Sequence, residues 1–475
     1  MAVDRLTAED RLMLWGDDAW PQDIGALAVL DGSGLLDPGG SCRIEVVREA
    51  IESRLHLLPR FRQLLYVPRR GLGGPLWVNA PAFDLGDHVR VAPLPAPGDE
   101  AQLLRATELL RRRRLDRSRP LWEMWFLPAL PDARIGLFVR LHHVIADGIA
   151  GVASLGALLD VVPDAKTAPA QPWTPAPWPQ ARELLVDNLR RRAGALSHGL
   201  AVLGRPVATV RHAWAAWPAM RELLAGDPGP RTSLDRLVGP DRNLALVRSN
   251  LDVVTEVAGA HEATVNDVLL AAIAGGTRGL LRTRGEPVDD VIVPIYVPVS
   301  LRQQQPGQEV GNLISQMVVP LPLGITDPEQ RLQRIAAETA KRKVMRRPSL
   351  GTIFHGKLAG RMMLKLIVRQ RVNVTSADLP GPRTPLYFAG AQVLEVFPLL
   401  NLIGNVSLGV GALSYAGQFN IMAVADRDSY PDIDVFAAGV RDELLALAAA
   451  PSVSKLSDEM VVSDIHDAEH SFTSP

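Results

Sequence analysis

The order of hydrophobic and polar residues alternates along the chain between segments typical of helices and segments typical of strands. Apolar residues three or four positions apart predict helices at 44–57, 101–113, 182–224, 265–281 and 433–449. Apolar runs bounded by turn residues predict strands at 26–30, 121–130, 135–141, 291–297 and 310–323. Helices are also expected within 328–370, and three or four strands within 371–425. Because both halves mix helices and strands, the pattern predicts an α/β or α+β fold in two domains.

The length of 475 residues also favours two domains, since single hydrophobic cores rarely serve so long a chain. Six prolines between 163 and 180 indicate an extended connection between the halves. The predicted divisions are an N-terminal domain, a proline-rich linker with crossover helices, a C-terminal domain, and a mobile polar tail, over 1–162, 163–240, 241–450 and 451–475.

Composition and charge exclude several classes of protein. The chain is 47% hydrophobic and 22% charged, which is ordinary for a globular protein, and its net charge of −1 disfavours a nucleic-acid-binding protein. Cys42 is the single cysteine of the sequence, so neither an intramolecular disulfide framework nor a multi-cysteine zinc site can form. Charged residues interrupt the first twenty positions, which predicts no signal peptide and a cytoplasmic protein. The uncharged stretch 396–425 contains proline and several asparagines, so we interpret it as buried strands rather than a membrane helix.

The strongest chemical signal is a pair of histidines, His142 and His143, at the end of the strand predicted at 135–141. A neutral histidine can act as a general base near pH 7. Asp147 could orient that histidine or hold the loop, and Gly148 would let a substrate approach the backbone. Taken alone, two histidines at a strand end are more often satisfied polar groups. The sequence offers no third ligand at zinc-binding spacing, so no metal is expected.

The complete pattern His-His-x-x-x-Asp-Gly resembles the signature of the CoA-dependent acyltransferase superfamily. Further motifs narrow the resemblance, over about residues 5–450, to the bacterial wax ester synthase/diacylglycerol acyltransferases. These motifs are Pro120-Leu121-Trp122-Glu123, Asn266-Asp267, Pro298-Val299-Ser300-Leu301-Arg302, Gly311-Asn312 and Leu379-Pro380-Gly381-Pro382. The preceding Ser376-Ala377-Asp378 departs from the usual Ser-Asn-Val of that family.

The resemblance implies two chloramphenicol-acetyltransferase-like domains with mixed sheets and an active-site tunnel between them. Acyl-CoA would enter from one face, and diacylglycerol or a long-chain fatty alcohol from the other, with no cofactor besides the acyl-CoA substrate. His143 would take the proton from the acceptor hydroxyl, His142 would play a supporting part, and Asp147 would pair with Arg302.

Several motif residues also have a purely structural interpretation. Asp267 fits a helix start capped by Thr264, whereas Asn266 could either share that role or donate to a developing oxyanion. For Pro120, Leu121 and Trp122, packing at the start of a strand is favoured over contact with the substrate.

Two segments are candidates for contact with an anionic membrane or lipid-droplet surface. Residues 331–371 carry twelve Lys or Arg and one acidic residue, which suits anionic lipid or the phosphates of CoA. Residues 182–224 include Trp214 and Trp217, for which core packing is at least as good an interpretation. Peripheral association with the inner face of the plasma membrane is therefore expected. A condensation-type enzyme that uses carrier proteins and a non-catalytic lipid-binding relative remain as alternative functions.

Overall fold

The computed structural model describes residues 3–14, 16–146, 151, 154–165, 169–203, 231–300, 314–345 and 371–450, with isolated positions between these ranges. The helices in this part of the chain are α1 (Ala8–Met13), α2 (Ile44–Arg54), α3 (Glu100–Arg112), α4 (Ala181–Leu203), α5 (Leu251–Ala260), α6 (Val265–Thr283), α7 (Pro328–Lys343) and α8 (Ile433–Ala448). Helices α2, α3, α4, α6, α7 and α8 overlap the helical segments predicted from the sequence.

The strands of the first half are β1 (Asp23–Asp31), β2 (Gln63–Tyr66), β3 (Leu76–Asn79), β4 (Val89–Val91), β5 (Trp122–Leu127) and β6 (Arg134–His142). Those of the second half are β7 (Arg242–Asn250), β8 (Ile292–Ser300), β9 (Ile314–Pro322), β10 (Val374–Pro380), β11 (Tyr387–Phe388), β12 (Ala391–Leu399), β13 (Leu408–Tyr415) and β14 (Gln418–Asp426). Strands β12, β13 and β14 contain most of the uncharged stretch 396–425, which confirms its interpretation as buried strands.

Two mixed six-stranded sheets form the framework, in the orders β11-β12-β1-β6-β5-β4 and β7-β14-β13-β10-β8-β9. The pairs β4–β5, β8–β10 and β10–β13 are parallel, and the other pairs within these sheets are antiparallel. The predicted α/β (α+β) class with mixed sheets is therefore confirmed.

The first sheet is completed by strands from the second half of the chain. β12 pairs antiparallel with β1, with Ala28 opposite Val396. Where the two sheets face each other, β1, β12 and β14 share one hydrophobic cluster, which includes Leu27, Phe397 and Met422. The two halves are thus joined both by backbone hydrogen bonds and by a common core.

The second sheet opens between β8 and β10. These strands pair in parallel at Val374 with Ile295 and at Thr375 with Tyr296. Beyond those pairs, residues 376–379 of β10 and 297–299 of β8 both line a cavity. The separation of the two strands therefore makes room for the cavity at the junction of the sheets.

Two surface interpretations need correction. Trp214 and Trp217 are 73% and 60% exposed, so core packing is wrong for both. Arg331, within the basic segment 331–371, is buried and pairs with Glu443, so it cannot face a membrane. The stretch 346–364 of that segment lies outside the described residues. No helix in the described part of the chain is both long and apolar enough to cross a bilayer.

Candidate active site

A cavity of about 840 Å³ lies where the two sheets meet, and both halves of the chain line it. Its walls are mainly aliphatic, and the polar side chains among them include those of His143, Asn266, Ser376 and Asp378. A volume of this size falls within the range of ~300–1,000 Å³ typical of small-molecule sites. A cavity therefore lies between the two halves of the chain, where the sequence predicts the active site.

His143 lies directly after β6 and contributes to the cavity wall. Its backbone N–H donates a hydrogen bond of 2.8 Å to the carbonyl oxygen of Gln22. The Nδ1 atom of its ring is buried. A position on the cavity wall is compatible with the predicted part of His143 as general base.

His142 is 2% exposed, and its contacts hold it away from the cavity. The backbone N–H of Val144 donates to its Nδ1 at 3.1 Å, and its Nε2 lies 3.2 Å from Oδ1 of Asp17. Because Nδ1 accepts a hydrogen bond, the proton of a neutral ring belongs on Nε2, facing that carboxylate. These contacts fit the supporting part expected for His142.

Asp17 is the buried acid behind His142, and no sequence signal pointed to it. Burial raises its pKa, but hydrogen bonds from His142, Arg117 and the backbone N–H of Gln22 outweigh burial. The net effect holds the pKa of Asp17 well below its ordinary value. Asp17 is therefore ionised at neutral pH and anchors the residue before the candidate base.

Gln22 connects Asp17, His143 and the second half of the chain. Its backbone N–H donates to Asp17 at 2.8 Å, and its carbonyl oxygen accepts from the backbone of His143. Its side-chain oxygen accepts a hydrogen bond of 2.8 Å from Asn401, which itself lines the cavity. One buried residue thus fixes His143 relative to a strand end of the other half of the chain.

The Asn266-Asp267 motif divides into two roles. Asp267 forms a capping box with Thr264 at the start of α6 and accepts a hydrogen bond of 2.6 Å from Thr339 of α7. Asp267 is therefore structural, as expected. Asn266 lines the same cavity as His143, which keeps the oxyanion hypothesis open.

The motif at 120–122 packs beneath the histidines. Trp122 is fully buried, with its ring centroid 4.7 Å from that of Phe61 and 4.6 Å from that of His88. Leu121 shares a hydrophobic cluster with Val144, and Pro120 is also buried. The structural interpretation of Pro120, Leu121 and Trp122 agrees with these contacts.

Comparison with known proteins identifies the family. Residues 6–269 match the wax ester synthase/diacylglycerol acyltransferase catalytic domain, and residues 310–448 match the C-terminal domain of the same family. The chain belongs to the wax ester synthase/diacylglycerol acyltransferase family. It is an acyl-CoA-dependent acyltransferase, and a carrier-protein-dependent condensation enzyme is not favoured.

Relatives in Mycobacterium tuberculosis H37Rv support this assignment. A putative diacylglycerol O-acyltransferase is 32% identical over 95% of this chain and 99% of its own length. The probable diacylglycerol O-acyltransferase tgs1 is 31% identical over 91% and 93%. Among solved structures, the wax ester synthase/diacylglycerol acyltransferase from Marinobacter aquaeolei VT8 matches the fold with a TM-score of 0.66 and 23% identity, over 93% of this chain and 98% of that chain.

Several motif residues of this acyltransferase lie outside the described residues. They are Asp147, Gly148, Arg302, Gly311 and Asn312. The proposed pairing of Asp147 with Arg302 therefore remains a prediction.

The sequence analysis gave no role to several polar residues that line the acyltransferase cavity. Among them are Ser376 and Asp378 of β10 and Lys343 of α7. Burial raises the pKa of Asp378 to about 6. The departure from the family pattern at 376–378 was the signal that could have drawn attention to this wall. In the described ranges, which include the cavity wall, no cluster of three or more His, Cys, Asp or Glu could hold a metal.

Proposed function

We propose that this acyltransferase moves a long-chain acyl group from acyl-CoA to the free hydroxyl of diacylglycerol, with a long-chain alcohol as a second acceptor. The observation that carries the proposal is His143, an imidazole on the wall of an otherwise mainly aliphatic cavity between two sheets. Aliphatic walls suit the hydrocarbon chains of both substrates, and the single imidazole supplies the base that ester formation needs.

The proposed reaction requires one proton carrier. His143 Nε2 accepts the proton of the acceptor hydroxyl while that oxygen attacks the thioester carbonyl carbon. The tetrahedral oxyanion then collapses, the carbon–sulfur bond breaks, and His143 returns the proton to the sulfur of CoA. The products are the ester and free CoA, so no cofactor is consumed and acyl-CoA acts as substrate.

Asn266 is the proposed hydrogen-bond donor to the oxyanion. It lies at the start of α6, where the helix dipole also favours negative charge, and it lines the cavity with His143. One such donor contributes a factor of about 10²–10³ to the rate in enzymes where it has been removed. Gly148 would allow close approach of the thioester to the backbone.

The second part of the proposal is peripheral contact with an anionic membrane or lipid-droplet surface through α4. Leu185, Leu189 and Leu196 are 43%, 56% and 71% exposed, and their spacing puts them on one face of this helix. Arg190 and Arg192 are exposed on the same helix. Exposed leucines beside arginines suit an interface between anionic headgroups and acyl chains.

The acyl-transfer proposal is tested with purified protein, radiolabelled palmitoyl-CoA, and diacylglycerol, hexadecanol or water as acceptor. Label is expected in triacylglycerol, and at a lower rate in the wax ester. Release of free palmitate alone would contradict the proposal, because the enzyme would then be a thioesterase. Label in the wax ester alone would restrict the proposed acceptor to alcohols.

The membrane proposal is tested by co-sedimentation with vesicles that contain 0–40% phosphatidylglycerol. Arginines near an anionic lipid surface are attracted to its negative charge. Binding should increase with phosphatidylglycerol and decrease with salt. Leu189→Glu with Leu196→Glu should abolish it. Leu445→Glu is a matched control, since Leu445 is 62% exposed on α8. Equal binding by both variants would exclude α4 as the contact surface.

A further inference from the structure

The cavity wall contributed by β10 carries two polar side chains whose hydrogen-bonding capacity the protein does not use. Ser376 is fully buried, and its Oγ has no hydrogen-bond partner in the described part of the chain. Two residues later, the Asp378 carboxyl is half-buried, lines the cavity and forms no hydrogen bond or ion pair with any described residue. Because buried polar groups such as the Ser376 hydroxyl are almost always paired in native proteins, the unpaired hydroxyl beside an unpaired carboxyl indicates a place where another molecule supplies the partner.

The geometry of the strand brings these two groups together. Ser376 and Asp378 are alternate residues of β10, so they project from the same face, and their α-carbons are about 7 Å apart. In the parallel pair with β13 they lie opposite Val410 and Ala412. Both belong to the part of β10 that has separated from β8, and both line the cavity. A substrate in the cavity can therefore reach the partly exposed Asp378 carboxyl, with the buried Ser376 hydroxyl next to it on the same face of the strand.

The neighbouring residue provides an internal comparison. Thr375 also lines the cavity, but its hydroxyl donates to the carbonyl oxygen of Tyr296 at 3.2 Å. Its capacity is thus used within the sheet, where β8 and β10 still pair. The unused groups begin at the next residue, where the strands part.

The remaining titratable side chains on the wall do not neutralise Asp378. They are Glu9, His143, Lys343 and Tyr415. The Lys343 ammonium lies 3.4 Å from Oγ1 of Thr264, at the start of α6. Burial alone raises the pKa of Asp378, with no opposing contribution from a cation. A carboxyl in this setting accepts hydrogen bonds, and the hydroxyl beside it can donate one.

We propose that Asp378, with Ser376, forms a hydroxyl-binding subsite that selects substrates carrying a hydroxyl besides the one that reacts. A monoacylglycerol is an acceptor of this class, because one hydroxyl can be acylated while the other binds Asp378. A simple long-chain alcohol has no second hydroxyl and leaves the carboxyl unsatisfied. Diacylglycerol has a single free hydroxyl and would not use this subsite either. The inference rests on the proposed acyl transfer and adds dihydric acceptors, which would compete with diacylglycerol for the same cavity.

The decisive experiment compares 1-monooleoylglycerol with oleyl alcohol as acceptors of palmitoyl-CoA, for the wild type, Asp378→Val and Asp378→Asn. In Asp378→Val the ratio of kcat/KM for monooleoylglycerol to that for oleyl alcohol should fall about 10-fold or more, as expected when a site built for a hydroxyl loses its polar partner. The value for oleyl alcohol itself should rise, since no carboxylate must be desolvated. Asp378→Asn keeps an acceptor oxygen and should lie between the two.

Thr375→Val is the matched control, because it removes a neighbouring hydroxyl of β10 that is already bound to the backbone of β8. Its substrate ratio should equal that of the wild type. A parallel comparison of hydroxypalmitoyl-CoA with palmitoyl-CoA, using oleyl alcohol as acceptor, shows whether the additional hydroxyl belongs to the acyl chain instead. Unchanged ratios in both comparisons for Asp378→Val, or an equal fall for every substrate, would overturn the proposal.

Equilibrium binding separates this inference from the proposed function. Titration of monooleoylglycerol and oleyl alcohol into the wild type and Asp378→Val measures the same selectivity without turnover. If the wild type transfers no acyl group but the Kd ratio still falls in Asp378→Val, the proposed function fails and the subsite stands. If transfer proceeds and neither ratio changes, the proposed function stands and the subsite fails.

Discussion

The two walls of the cavity treat their polar groups in opposite ways. On the wall that carries His143, the polar side chains behind the cavity are bound to one another, as His142 is to Asp17 and Gln22 is to Asn401. On the β10 wall, Ser376 and Asp378 line the cavity without a described protein partner. Both walls are equally part of the fold, since β6 and β10 belong to the centres of their sheets.

This difference separates positioning from recognition. Groups that pair with one another within the protein have less to offer a ligand, but they fix the orientation of their neighbours. Groups that are buried without partners carry an energetic cost that a substrate can remove by binding. We therefore expect variants of the first wall to lower activity or stability, and variants of the second to change substrate choice without a loss of stability.

The largest effect is expected for His143→Ala. Loss of a general base typically lowers the rate by about 10²–10⁴-fold, and we expect kcat for acyl transfer to fall within that range. His142→Ala should retain more activity, because that ring faces Asp17 rather than the cavity. Initial rates with palmitoyl-CoA and diacylglycerol, with circular dichroism to verify folding, measure both. Equal and small losses at the two positions would defeat the assignment of the base.

The second-largest effect is expected for Asp17, which pairs with His142 behind the wall that carries His143. Asp17→Asn removes a buried charge from its pairing with His142 and Arg117, which should lower the free energy of unfolding at pH 7 by about 3 kcal/mol. Because the pKa of Asp17 is lowered in the folded state, its contribution is present above its ordinary value of 3.8 and is lost as pH falls below it. Denaturant unfolding between pH 7 and pH 3 should therefore show the difference shrinking. A difference independent of pH would mean that charge is not what Asp17 contributes.

For Asp378, stability is expected to change with pH in the opposite direction. Its pKa rises from 3.8 to about 6 on folding, so the folded state binds the proton more tightly, and stability decreases as pH rises through this interval. Asp378→Asn should consequently raise the free energy of unfolding at pH 8, by on the order of 2 kcal/mol after allowance for partial solvent exposure. At pH 4 the two proteins should be nearly equal. Stabilisation of the same size at both values of pH would contradict this account.

The smallest effect tests the shape of the cavity rather than its polarity. Gly156 lines the cavity, and a Cβ built there meets no atom of the described residues within 4 Å. Gly156→Leu should therefore fold normally and occupy space that a substrate chain would use. The preference for palmitoyl-CoA over octanoyl-CoA, or for hexadecanol over octanol, should fall about 10-fold, which is the scale of a few lost apolar contacts. If both preferences are retained, the substrate chains do not pass Gly156.

Much of the fold could be predicted from the sequence because its elements have strong local signals. The α6 helix begins with a capping box at Thr264 and Asp267, and the apolar run of β6 ends directly at the two histidines. By contrast, α5 (Leu251–Ala260) follows β7 without a break, and its start depends on the side chain of Asn250, which caps it. That single cap was too weak a signal for prediction.

The candidate site was predictable only in part, and for a similar reason. His143 and Asn266 lie in recognisable motifs, so both could be named as candidates without a structure, and both line the cavity. Asp17 and Gln22 act through pairings over long separations in the chain, and no local pattern records such a pairing. Asp378 was visible as a departure from a motif, but its importance depends on the separation of β8 from β10, which is a property of the sheet.

The insertion of β12 into the first sheet has a consequence for biosynthesis. On the ribosome, β1 and β6 emerge more than two hundred residues before the strand that covers the other edge of β1. Until β12 is translated, that edge exposes unpaired backbone groups, which are sites for aggregation. An N-terminal fragment ending near residue 240 should therefore accumulate in inclusion bodies, whereas co-expression with the remaining chain should recover soluble protein. Folding of this enzyme is consequently committed late in translation, even though its candidate general base, His143, is made early.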